Sequence, residues 1–573
     1  MNNKILIYQV FTRLYGNRNT TRKEWGTLEE NGSGKFNDFD AKALKKIKDL
    51  GMSHVWFTGV IRHATQTDYS KYGIPTQHPA VVKGRAGSPY AICDYYDVDP
   101  DLAVNVDKRM KEFEALIERT HKAGLKVIID FVPNHVARQY QSIAKPKGVK
   151  DLGTDDNTND GFNPQNNFYY CPGQQFDPYF DLRESNDGQT TNLPPYVENP
   201  AKSTGNDHFD ANPGRNDWYE TVKLNYGVDY WTGIGHFDPI PDTWQKMTDI
   251  LLFWAKKGVD GFRCDMAEMV PSAFWAWATD KVKSRYPDIV FVGEVYDPNQ
   301  YRNYLGAGFD YLYDKVGMYD TMRNVICGNG SASFITGAWQ STDDIASHML
   351  YFLENHDEQR VASDDFAGSA EKGIPGLVAS VLMRSNPFML YAAEEYGERG
   401  MDKEGFSGRD GRTTIFDYWS IDTLCRADEG KLTDTEKYIY DTHKKVLQIA
   451  RKEKAVDGMF YDLMYANPWS ARFDNNKQFA FLRKSISSPE SKGNEEVLLV
   501  VCNFNGNAVD IDVKIPQHAV DFLQIPEKKY TATDLLSDTK KAFTLKGDQS
   551  VDMDIPAYSA RVWKFSYRAA AKK

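Results

Sequence analysis

Along the first part of the chain, short apolar runs alternate with stretches in which apolar residues recur every three or four positions. That alternation predicts strands and helices taking turns. Ile5 to Val10 reads as a strand, and Asp40 to Leu50 reads as a helix with Leu44, Ile47 and Leu50 on one face. His54 to Val60 is a second strand, Asp107 to Ala123 a helix closed by Gly124, and Lys126 to Asp130 a third strand rich in β-branched residues. From residue 136 to 241 the pattern dissolves into Asn, Asp, Gly, Pro and aromatics. An irregular inserted domain is expected there rather than disorder, because the Tyr, Phe and Trp residues it keeps can form a small core.

Alternation then resumes, with helices at Thr243 to Lys257 and Pro271 to Arg285. Strands four to eight fall at Val259 to Cys264, Asp288 to Val295, Phe309 to Tyr313, Met349 to Leu353 and Pro387 to Ala392. Strands separated by helices predict an α/β fold with a parallel sheet, and eight of them favour a closed (β/α)8 TIM barrel over an open sheet. After a helix at Thr435 to Arg451 the period drops to two, in Gln478 to Leu482, Glu496 to Asn503, Val509 to Val513 and Ser559 to Phe565. These predict a C-terminal antiparallel β-sandwich, with an exposed hairpin loop at Ser485 to Glu495. The expected domains are therefore a barrel in two parts, 1–135 and 242–455, an inserted domain at 136–241 and a sandwich at 456–573.

Composition narrows the partners. A chain of 573 residues exceeds one ordinary core, which fits this division. A formal net charge of -11 argues against a nucleic-acid partner and an anionic membrane surface. The 6 cysteines include no Cys-x-x-Cys pair, so neither zinc nor a disulfide framework is expected and a reducing compartment fits. No apolar stretch is long enough to span a bilayer, and the N-terminal apolar run is short for a signal peptide. The expected location is cytoplasmic as the sequence stands, or periplasmic or secreted if a leader has been removed.

The chemistry gathers at strand ends. In the stretch Val259 to Met266, Arg263 and Asp265 stand two apart on a strand and so share a face. An adjacent guanidinium favours the ionised carboxylate, which is then a nucleophile or an ion-pair partner. Asp265, Glu294 and Asp357 stand at or just after the ends of three different strands, with His135 and His356 at comparable places. In a barrel these ends surround one cleft. Carboxylates sharing a cleft repel, so one is driven to hold a proton while an arginine-paired neighbour stays ionised. Cleavage of a glycosidic bond with retention needs such a pair, about 5 to 5.5 Å apart. The Asp/Asn run at 155–161 is a poor calcium loop, since its glycine is one place late and Asn166 stands where a bidentate Glu is needed.

Four strings in order, Asp130-Phe-Val-Pro-Asn134-His135, Gly261-Phe-Arg263-Cys-Asp265, Gly293-Glu294-Val295 and Asn355-His356-Asp357, resemble the four short sequence regions of the α-amylase family, glycoside hydrolase family 13. The Tyr90 to Asp94 spacing resembles a further element of that family. The resemblance implies a retaining hydrolase of α-glucosidic, chiefly α-1,4, bonds in starch-derived glucans or maltooligosaccharides. It implies that Asp265 attacks the anomeric carbon, that Glu294 is general acid and then base, and that Asp357 binds sugar hydroxyls and distorts the ring. Arg263 is then the partner of Asp265, His135 and His356 are donors to hydroxyls, Tyr90 is a stacking platform, and Asp130 is a supporting acid. Asn134 falls where many members place a structural calcium ligand; no cofactor is implied for the chemistry itself. The alternatives carried forward are a transglycosylase or isomerase of the same family and a non-catalytic glycan-binding protein. Two departures bear on them: Glu268 and Met269 replace a Lys and His common in starch-cleaving members, and Lys223 stands before Leu224-Asn225 where the family often has Asp. The partner expected is an oligosaccharide or polysaccharide, with the oligomeric state left open.

Overall fold

The computed structural model describes residues 4–182, 194–401, 403, 408–486 and 493–568. Eight parallel strands close into a barrel: β1 Leu6–Phe11, β2 His54–Thr58, β3 Lys126–Phe131, β4 Gly261–Cys264, β5 Val290–Gly293, β6 Tyr311–Tyr313, β7 Met349–Phe352 and β8 Phe388–Tyr391. Each pairs with its neighbour in sequence, and β8 pairs with β1. All eight match an expected apolar run to within two residues at each end. β5 is shorter than expected, because Asp288 and Ile289 still belong to the turn that precedes it.

The helices form where the sequence supplies caps. Asp40 accepts the N–H groups of Lys42 and Ala43 at the start of Ala41–Asp49. Thr433 and Glu436 make a reciprocal capping box on Asp434–Lys452. Gly258, at φ +98, ends Asp242–Lys257 in the left-handed conformation that favours glycine. The helix Ile374–Leu382 is apolar on every side and buried along its whole length. It packs between Asp434–Lys452 and the C-terminal domain, which explains why it carries no amphipathic stripe.

The C-terminal domain holds β9 Met459–Asp462, β10 Gln478–Lys484, β11 Asn494–Asn503, β12 Val509–Ile515, β13 Lys528–Asp534, β14 Lys540–Leu545, β15 Gln549–Ile555 and β16 Ser559–Arg568. They form an antiparallel six-stranded sheet, in the order β9-β10-β11-β16-β13-β14, and a separate antiparallel pair, β12-β15. β9, β13, β14 and β15 were not expected from the sequence. In β13 to β15 the inward positions are separated by Lys, Thr or Asp, so no continuous apolar run marks them. Residues 487–492 of the expected hairpin loop lie outside the described residues.

Two excursions build the wall above the barrel. After β2, Ile61–His63 pairs antiparallel with Ile92–Val98, so the long aromatic loop is a hairpin that returns Tyr90 to the barrel mouth. After β3, three two-stranded ribbons shape the inserted region; one of them pairs His135–Ala137 with Thr221–Lys223. Cys171, Phe176, Ala201, Ala211 and Tyr219 form its small core, and Val81 from the loop after β2 joins it.

Candidate active site

Arg263 is the centre of the site. On β4 it stands level with Asp130 of β3 and Val292 of β5. Its Nη1 donates to Asp265 Oδ1 at 2.8 Å and to Asp130 Oδ1 at 3.4 Å, and its Nη2 lies 2.7 Å from Glu294 Oε2. One guanidinium therefore spans the carboxylates that end β4 and β5. Glu294 is held from two further directions: the Met266 N–H donates to Oε2 at 2.8 Å, and the Tyr296 hydroxyl donates to Oε1 at 2.6 Å. Met266 reaches this position with φ +43, a strained left-handed backbone just after Asp265. Asp130 is fixed from below by the Trp56 indole N–H, 3.0 Å from its Oδ2.

Burial drives this cluster toward protonation. Asp265 is pushed well above the usual carboxylate range, by burial first and then by Glu294, Asp130 and Asp357, with Arg263 opposing. Burial raises Asp357 to about 7, with Glu294 adding and Arg263 opposing, and raises Asp130 to about 6 against Arg263. This differs from the expectation that Arg263 keeps Asp265 ionised. The reason is that its single charge is divided among three carboxylates. Asp265, Asp357 and Asp130 are all shifted upward together, so at neutral pH this set retains a proton.

The imidazoles are neutral donors. Burial, aided by the charge of Arg263, holds His356 well below the usual histidine range. Gln9 Nε2 donates to its Nδ1 at 2.8 Å, so the ring proton sits on Nε2, 2.6 Å from the Tyr90 hydroxyl and 3.1 Å from Asp357 Oδ2. Burial, with Lys223 second, lowers His135 to about 3. Its Nδ1 accepts from Asn134 Nδ2 at 3.1 Å, again leaving Nε2 as the donor. Tyr90 stacks on His356 with ring centres 5.3 Å apart.

These groups border a cleft of about 930 Å³ at the carboxyl ends of the strands. Tyr90, His135, Asp265, Glu294 and Asp357 line it; Arg263, Asp130 and His356 lie beneath, in contact with residues that do. Sequence reasoning did not find Trp25, Lys83, Trp218, Tyr296 and Phe416, which also line it. Trp218 faces His135 with ring centres 5.3 Å apart. The one signal available was an aromatic residue in each irregular segment after a strand, which is not specific enough to select these.

Asn134 does not line the cleft. Its Nδ2 donates to Gly205 O at 2.7 Å, and its Oδ1 accepts from the Lys223 ammonium. A lysine thus stands on the oxygen that the resemblance assigns to calcium, and these residues do not fit a divalent ion. In the Asp/Asn run, the Asp156 carboxylate accepts the N–H groups of Asn167 and Phe168 at 2.7 and 3.1 Å, so it braces a turn. Among the described residues no group of three His, Cys, Asp or Glu is arranged to hold a metal. Glu268 Oε2 accepts the N–H groups of Tyr296 and Asp297, both at 3.0 Å, and so fixes the loop after β5. All 6 cysteines are free thiols, and among the described residues no helix is long and apolar enough to cross a membrane.

Known proteins share this architecture. The family description "Alpha amylase, catalytic domain" matches residues 18–448, and "Alpha amylase, C-terminal all-beta domain" matches residues 469–566. An alpha-amylase of Haloarcula japonica is 27% identical over 406 residues, covering 69% of this chain and 44% of that protein, less than half its length. Alpha-amylase 3 of Dictyoglomus thermophilum is 26% identical over 395 residues, covering 64% of this chain and 67% of the relative. The solved structure of a maltogenic alpha-amylase from Thermotoga neapolitana superposes with a TM-score of 0.61 at 19% identity, covering 98% of this chain and 99% of that one, a likeness of fold. With the catalytic-domain description spanning most of its length, the chain belongs to the alpha-amylase family.

Proposed function

We propose that this protein is a retaining glycoside hydrolase that cleaves α-1,4-glucosidic bonds in starch-derived glucans or maltooligosaccharides. The observation that carries the reading is the single guanidinium of Arg263 holding Asp265 and Glu294 side by side at the edge of the cleft. In this reading the set of carboxylates delivers its proton through Glu294 to the glycosidic oxygen as that bond breaks. Asp265 attacks the anomeric carbon from the other face, and a covalent glycosyl-enzyme forms with inversion. Glu294, now ionised, takes a proton from water, whose oxygen displaces Asp265 with a second inversion, so configuration is retained.

The remaining groups position the sugar. Tyr90 offers a flat apolar face beside the reacting ring. The Nε2–H donor of His135 and the carboxylate of Asp357 suit its hydroxyls, while His356, beneath the cleft, holds Tyr90 and Asp357 in place. The test is release of reducing ends from defined maltooligosaccharides, with the product anomer followed by NMR. Products with the α configuration, absent in Asp265→Asn, support the reading. Longer oligosaccharides in place of hydrolysis products would reassign the protein to transfer, and binding without turnover would make it a glycan-binding protein.

A further inference from the structure

Lys223 ends the strand of the inserted domain that pairs with His135–Ala137, and the register sets it directly opposite His135. The side chain is 2% exposed. Its ammonium contacts Asn134 Oδ1, lies 2.6 Å from Asp207 Oδ1 and donates to the Met269 carbonyl at 3.3 Å. The ring of Tyr230 closes the remaining side, with its centre 5.4 Å from Nζ. Three oxygens from three separate places meet here: the end of β3, a loop of the inserted domain, and the turn that follows Asp265.

We propose that the Lys223 ammonium is a built-in cation that ties the inserted domain to the loops after β3 and β4, in place of a structural calcium ion. Three N–H donors meet three acceptors, so the buried ammonium is satisfied. Its charge matches the single carboxylate, Asp207, that faces it. Calcium takes 6 to 8 oxygens at about 2.3 to 2.6 Å and favours several carboxylates. This site supplies three oxygens and one formal negative charge, with an ammonium already among them, so a divalent ion there would displace the lysine into the protein interior. Burial draws the Lys223 ammonium below the usual lysine range, and Asp207 opposes that shift.

The link runs toward the reaction centre. Met269 lies four residues after Asp265, and the same turn carries Glu268, which braces the loop after Glu294. One lysine thus anchors the inserted domain to the turn that follows Asp265, and Glu268 in that turn braces the loop after the strand that supplies Glu294. The departure at Lys223 in the string Lys223-Leu224-Asn225 then puts a cation of the chain itself in the place of the metal.

The experiment is thermal unfolding of the full-length protein in excess chelator and in excess calcium, with a calcium titration by calorimetry. The expected result is one unfolding midpoint in both conditions and no saturable heat at the protein concentration. Lys223→Met is expected to unfold several degrees lower, because Asp207 and Asn134 lose their partner, and calcium is expected not to restore it. A wild-type midpoint that falls in chelator and recovers with calcium would overturn the proposal, as would a Lys223→Met midpoint equal to wild type. The wild-type arm decides the matter even if the variant does not fold, and its readout is independent of which glucan is cleaved.

Discussion

Two arginines, Arg263 in the barrel mouth and Arg483 at the joint with the C-terminal domain, are each 1% exposed, yet their surroundings are opposite. Arg263 faces the carboxylates of Asp265, Glu294 and Asp130. Arg483 faces carbonyls: it donates to Met383 O at 2.6 Å, Gly458 O at 3.0 Å, Ala455 O at 3.2 Å and Val456 O. Against burial, which lowers it, the guanidinium of Arg263 is raised above its ordinary range by Glu294 and then by Tyr313, Tyr90 and Asp265, whereas that of Arg483 is lowered to about 9, by burial and then by Arg384. A crowd of buried carboxylates around one guanidinium retains a proton that the single charge does not displace, and it supports chemistry. A charge ringed by carbonyl dipoles joins segments of chain: here the end of Ile374–Leu382, the turn after Asp434–Lys452, and β10.

Replacing the acids tests the first half of this contrast most strongly. Asp265→Asn is expected to lower turnover on maltooligosaccharides by about 10⁴-fold or more, and Glu294→Gln by about 10² to 10⁴-fold. Neither variant should unfold below wild type, since each removes a charge from a crowded set; a scanning-calorimetry midpoint well below wild type would contradict this.

Arg263→Leu attacks the centre itself. It should abolish turnover and cost about 3 to 5 kcal/mol of stability, because several buried carboxylates lose their counter-charge. Its deficit relative to wild type should widen as pH rises, as those carboxylates ionise, which denaturant titration at two pH values measures. Arg483→Met should cost about 1 to 3 kcal/mol through carbonyls left without donors, while kcat below the unfolding range stays at the wild-type value. Equal losses of kcat in the two variants would erase the distinction between them.

The smallest effect is the pH dependence of stability. Asp130 and Asp357 have folded-state values of about 6 and about 7, above the ordinary carboxylate value of 3.8. The folded state therefore binds more protons than the unfolded one, and the stability these groups contribute is present near pH 4 and lost as pH rises through about 6 and 7. Asp130→Asn should reduce the fall in midpoint between pH 5 and pH 8, and an unchanged slope would count against this assignment.

The acids were legible because each ends an apolar run, and the i, i+2 spacing put Arg263 beside Asp265 before any fold was known. What Arg263 does to the other acids was not legible: Asp130 is 133 residues away from it, and only the parallel register makes the two neighbours. The aromatic lining of Trp25 and Trp218 comes from segments without a period, where nothing in the local sequence says which way a side chain points. Lys223 was visible as a departure, but its bond to Asn134 spans 89 residues and follows from an antiparallel pairing that irregular sequence does not announce. Arg483 stands just past the expected strand Gln478 to Leu482 and gave no signal of its own, since its partners are carbonyls that leave no trace in residue identity.

The central claim is that Asp265 forms a covalent bond to the sugar while Glu294 handles the proton. Incubating the protein with an activated fluorinated α-glucosyl fluoride, digesting it and sequencing the labelled peptide by mass spectrometry tests this directly. The account predicts one added glycosyl group, located on Asp265 and absent in Asp265→Asn. A label on Glu294 or Asp357, or turnover of the reagent by Asp265→Asn at the wild-type rate, would contradict it.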